Sequence, residues 1–149
     1  MTNNNPEKNQ KKDFIKQRKK SRRLVVQALY AWLLAKNNWQ TLEQDFLNYN
    51  RDFDEAYFKI LLRNTVEHFD ALSHILQNYL DREFTDLDPV EQAILIMGAW
   101  ELRDSIEIPS KVAINEAVEL AKLFGATDSH KYVNGVLDKL AKEFRKNEF

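Results

Sequence analysis

Ile108-Pro109-Ser110-Lys111-Val112-Ala113-Ile114-Asn115-Glu116-Ala117, continued by Val118–Gly125 and by a second run from Ser129 to Phe144, is the stretch whose reading decides the fold. Pro109 sets φ for a helix start, and Ala113, Ala117, Leu120, Ala121 and Phe124 recur at helical spacing. Gly125 stands where a left-handed stop is expected, and Thr127 or Asp128 where the next helix needs a cap. The second run repeats the apolar pattern with Val133, Val136, Leu137, Leu140, Ala141 and Phe144, so the two helices can cover each other across a tight turn. That turn gathers Lys122, Phe124, His130, Lys131 and Tyr132. Cations beside aromatic rings are a composition suited to holding phosphates and stacking on bases.

Outward from this hairpin the punctuation stays helical. In 149 residues there are three glycines and three prolines, too little turn chemistry for a β-rich fold. Asp88-Pro89-Val90-Glu91 reads as cap, first helical residue and capping-box acid of a helix through Leu102. Its apolar residues wrap nearly all round, which marks a central, buried helix. Gly98 there and Gly135 in the last helix are expected at close helix contacts. Residues 54–80 form one unbroken periodic run by pattern alone, and a shorter helix is expected over about 39–49. His68 and His74 stand six apart in the long run, off metal-ligand spacing, and no cysteine is present to help.

The net charge of −1 conceals an asymmetry. Lys8 to Arg23 holds nine basic residues against Asp13, so this segment carries +8 and the remainder −9. A basic arm on an acidic body fits a nucleic-acid contact site. Residues 1–13 lack apolar periodicity and are expected to be a disordered tail, followed by one helical domain over 14–149. The first helix should then run from about 14–16 to 36, with Val25, Ala28, Leu29 and Trp32 buried and Lys20, Arg23, Gln27 and Tyr30 forming a ridge on another face.

Chemistry of other kinds finds little support. No glycine-rich phosphate loop, nucleophile elbow or paired-histidine motif occurs, and no acidic pair sits in a setting that would raise its pKa. No catalytic residues, metal or cofactor are expected. Nor does any stretch reach the roughly 18 apolar residues of a membrane span, and the start lacks an apolar signal core, so a cytoplasmic protein is expected.

Lys111-Val-Ala-Ile-Asn-Glu-Ala-Val-Glu-Leu-Ala-Lys122, with Phe124-Gly125, Asp128-Ser-His-Lys131 and Val133-Asn-Gly-Val-Leu-Asp138, resembles the NusB family of bacterial transcription antitermination factors. Arg18-x-x-Ser21-Arg22-x-x-Val25-x-Gln27-x-Leu29-Tyr30 resembles the family's basic first helix, and Ile94–Leu102 with Glu101 its central helix. The resemblance implies an all-α fold of about seven helices in two packed three-helix groupings, with the 54–80 run broken near 67–70. It implies binding of boxA-type RNA together with the small-subunit ribosomal protein NusE, in support of ribosomal RNA transcription within RNA polymerase antitermination complexes. Arg18, Lys19, Lys20, Arg22 and Arg23 would neutralise phosphates. Gln27, Lys122, Phe124, His130, Lys131 and Tyr132 would complete the RNA surface, and Tyr30 and Glu91 would face the ribosomal protein. Lysines stand where the family often has arginine, which removes planar bidentate phosphate contacts. Two alternatives differ in class. One is a helical protein-binding scaffold whose basic arm is incidental; the other is an RNA-binding domain of the kind that precedes RNA methyltransferases, which would need a Gly-rich cofactor domain.

Overall fold

The computed structural model describes residues 5–36 and 38–149, and within them the chain is all-helical. Seven α-helices follow in order: α1 (Pro6–Ala35), α2 (Trp39–Tyr49), α3 (Glu55–Glu67), α4 (Phe69–Gln77), α5 (Pro89–Asp104), α6 (Ser110–Phe124) and α7 (Ser129–Phe144). Short 3-10 turns cover Phe84–Asp86 and Lys146–Glu148. Helices α1 to α3 pack as one group and α5 to α7 as another, with α1 and α4 lying against α5 to join them.

The caps explain most of the boundaries. Asn38, Asp54 and Asp88 accept backbone N–H bonds from Gln40, Tyr57 and Val90 at 2.8, 3.0 and 2.9 Å. Pro89 occupies the first turn of α5 behind its aspartate. From Ala93 to Leu102 every residue of α5 is buried, so this helix is the axis of the core. The break between α3 and α4 falls at His68, which holds φ −101° and ψ 16°. No Pro or Gly stands at the break; one turn earlier the Thr65 hydroxyl donates to the carbonyls of Leu61 and Leu62 at 2.6 and 3.0 Å, a local bond that favours bending of the helix.

Several local expectations are corrected. Where a disordered tail was expected through residue 13, α1 already begins at Pro6, because Asn5 caps it and Glu7 complements its first turn; residues 1–4 of that tail lie outside the described residues. Pro109 is the residue before α6, with ψ 144°, so the helix proper starts at Ser110. Gly125 is extended rather than left-handed, and it is a glycine for want of space: an added Cβ would lie 2.7 Å from both the Ala121 carbonyl oxygen and Ser129 Cβ. Gly98 is the helix contact expected of it, since its Cβ would meet Leu137 Cδ1 at 2.7 Å. Gly135 is not, because nothing lies within 4 Å of the position its Cβ would take.

Candidate nucleic-acid interface

The basic arm is the N-terminal half of α1, and its helical phase divides its cations into two sets. Arg18 and Arg22 share a stripe with Val25 and Leu29 and turn inward, whereas Lys16, Lys19, Lys20 and Arg23 turn out. Arg22 is the clearest correction among the phosphate-binding residues expected from sequence. Its side chain is 4% exposed, and its Nε donates to both carboxylate oxygens of Glu101 at 3.0 and 2.9 Å. The Tyr57 hydroxyl donates to the same carboxylate. Burial pushes the Glu101 carboxyl above the usual carboxylate range, while Arg22 and the Tyr57 hydroxyl pull against it. Burial also disfavours the Arg22 charge, but the Glu101 carboxylate outweighs it and holds the guanidinium protonated. This buried carboxylate was missed from sequence, where only acidic pairs were weighed and none was expected with a raised pKa; a lone acid inside an otherwise all-round apolar helix was the available signal.

Arg18 is also engaged. Its guanidinium lies 4.0 Å from the Tyr57 ring centroid and 4.7 Å from that of Phe14, and its Nε lies 3.4 Å from Asp54. It therefore braces the arm against α3, leaving the lysines and Arg23 to meet solvent.

Those outward cations form one wall of an open groove of about 600 Å³ between α1 and α6. Leu120 and Leu123 lie along its other side with Glu116 and Glu119. Lys19 Nζ reaches the Glu116 carboxylate at 3.0 and 3.3 Å, and Lys20 Nζ donates to the Arg51 carbonyl. Sequence reading missed Glu116, which lies 97 residues from Lys19. Gln27 and Tyr30 continue along α1 as exposed residues beyond Arg23.

At its far end the groove reaches Leu123, which adjoins Lys122 and Phe124 in the last turn of α6. Lys122 is exposed and 3.5 Å from Glu119, whereas Phe124 is half-buried against the core. Across the turn, His130 and Tyr132 are half-buried and Lys131 is exposed. Asp128 occupies the cap position of α7 without making a capping bond; its carboxylate lies 3.5 Å from Lys131 Nζ instead. Tyr132 donates its hydroxyl to Asp81 at 3.0 Å, and the Arg82 guanidinium lies 5.0 Å from its ring centroid. Burial first, then the bond to Asp81, raises the Tyr132 phenol above its ordinary value. Arg82 was not expected from sequence, because it stands alone in a loop far from either basic run.

Glu91 does not return to its own cap. It accepts the Ser129 hydroxyl at 2.8 Å, tying the start of α5 to the start of α7. Tyr30 is 38% exposed. Among the described residues no cluster of three or more His, Asp or Glu could hold a metal ion, and no helix is long and apolar enough to cross a membrane.

Comparison with known proteins gives a consistent result. The NusB family model matches residues 19–142. The transcription antitermination protein NusB of Pasteurella multocida (strain Pm70) is 48% identical over 137 residues, covering 91% of this chain and 94% of that protein. Its counterpart in Shewanella denitrificans is 49% identical over 128 residues, covering 85% and 96%. Among solved structures, T. maritima NusB has a TM-score of 0.78 at 28% identity, covering 88% of this chain and 95% of that one. A crystal structure of the antitermination factors NusB and NusE in complex with dsRNA has a TM-score of 0.77 at 26% identity, covering 85% and 96%.

Proposed function

The chain belongs to the NusB family of transcription antitermination proteins, and from that premise we propose that it binds boxA-type single-stranded RNA jointly with the ribosomal protein NusE, supporting ribosomal RNA transcription. It acts by binding, as an adaptor between transcript and RNA polymerase antitermination complexes in the cytoplasm, and not as an enzyme. The observation that carries the reading is the groove: Lys16, Lys19, Lys20 and Arg23 line it, together with Leu123 from the last turn of α6. Phosphates replace Glu116 as the partner of Lys19, releasing counterions as they do so. Gln27 offers both a donor and an acceptor to base edges, and Tyr132 offers a ring. Tyr30 and Glu91 contact NusE.

Gel-shift titration with a boxA RNA and a scrambled RNA of equal length, with and without NusE, tests this reading. Tighter binding of the boxA RNA, strengthened further by NusE, is expected. Equal binding of both RNAs and no effect of NusE would overturn it in favour of a protein-binding scaffold.

A further inference from the structure

Gly135 lies inside α7 with no packing reason to be glycine. An added Cβ would meet no heavy atom within 4 Å. A helix-interior glycine weakens the helix relative to alanine, and packing does not require this one. The bare backbone it leaves forms part of a cleft of about 200 Å³ between α7 and the segment after α4.

The cleft is lined by rings, cations, Val136 and Asp81, and the Tyr79 hydroxyl donates to Glu143 at its edge. Tyr79 and Tyr132 supply two rings, and Lys131 and Lys139 supply two cations on the same face of α7. Arg82 adds a third cation over the Tyr132 ring, where Asp81 orients it at 2.8 Å while also accepting the Tyr132 hydroxyl. Asp81 is the one carboxylate among the cleft's lining residues, and it is already occupied by these two partners. Rings flanked by cations over an exposed ribbon of backbone suit a stacked base with its phosphate.

We propose that this cleft extends the RNA site beyond Tyr132: RNA leaving the α6–α7 turn, with a base against Tyr132, passes close over Gly135, with Arg82 and Lys139 holding the adjoining phosphates. The proposal rests on the RNA-binding reading above and extends the RNA path beyond the groove of α1 and α6. Lys131, in the first turn of α7, lies between the two.

The test uses the full chain and two RNAs, a boxA RNA and the same RNA lengthened by several nucleotides at either end in turn. Gly135→Ala should raise the melting temperature, yet weaken the lengthened RNA by about 5- to 10-fold, within the range of one lost stacking contact. Arg82→Ala and Lys139→Ala should weaken the same RNA without that gain in stability. The short RNA should bind the Gly135→Ala and Lys139→Ala variants as it binds the parent, while Lys19→Ala weakens both RNAs. Gly135→Ala that binds every RNA like the parent overturns the extended site, as does an equal loss on short and long RNAs. A loss seen only when NusE is present also overturns it, because the cleft would then serve the protein partner. If the parent binds no RNA at all, the function proposed above falls and the extended site falls with it.

Discussion

Arg22 Nε sits 3.0 and 2.9 Å from the two carboxylate oxygens of Glu101, so an arginine of the basic arm faces the core rather than solvent. The pair bridges α1 and α5, and the Tyr57 hydroxyl from α3 completes it. Removing one partner strands the other charge out of water. Arg22→Ala should therefore cost about 3–5 kcal/mol in urea unfolding. Replacing the set with Arg22→Met, Tyr57→Phe and Glu101→Leu should recover most of that loss, since no buried charge or hydroxyl is left unpaired. A single substitution costing under about 1 kcal/mol would contradict this account of the pair.

Asp128 holds Lys131 across 3.5 Å with both side chains largely in water, 79% and 73% exposed, and it makes no capping bond. Asp128→Asn should leave the melting temperature within a degree or two, since exposed pairs contribute about 0–1 kcal/mol. RNA affinity should rise, because a fixed negative charge is removed from beside the phosphate path and Lys131 is freed. The gain should be largest in about 50 mM salt and fade as screening shortens. Equal or weaker binding at low salt would place the RNA away from this turn.

At the other end of the hairpin, the Ser110 N–H and then the Arg145 guanidinium hold the Glu148 carboxyl below the usual carboxylate range. Its folded value lies below its unfolded one, so the stability it contributes is present above about pH 4.3 and is lost as pH falls through the folded value. Melting temperatures of the parent and Glu148→Gln between pH 3 and 6 should converge toward acid and separate toward neutral. Parallel curves across the whole range would show that the carboxylate has no such role.

The helices were legible because their boundaries are written locally: Asn38, Asp54 and Asp88 precede apolar-periodic runs and cap them as such residues do. The start of α1 was misplaced although Asn5, Pro6 and Glu7 carry the signals of a helix start, because the polar stretch behind them shows no apolar period. The orientation of Arg22 was also available, since it falls three residues before Val25 and seven before Leu29 on one helical stripe. Charge count alone drew attention to the whole run instead. Lys19 with Glu116 and Tyr132 with Asp81 lie 97 and 51 residues apart, and no local pattern announces such pairs. Arg145 is a similar case: its guanidinium donates to the carbonyls of Glu101, Leu102, Ser105 and Ile108 at 2.7–3.0 Å, closing the end of α5 from beyond the last apolar residue of α7.

In the proposed RNA site the outward cations of α1, and not its inward arginines, meet the RNA backbone. The direct measurement is the slope of log affinity against log salt for a boxA RNA, compared between the parent and a Lys16→Ala, Lys19→Ala, Lys20→Ala variant. Each single-strand phosphate neutralised adds about −0.7 to that slope, so the triple variant should flatten it by about 2. Its folding stability should stay near that of the parent, because all three side chains lie at the surface of the arm. A slope unchanged by the triple substitution would contradict the claim and move the RNA off the groove between α1 and α6.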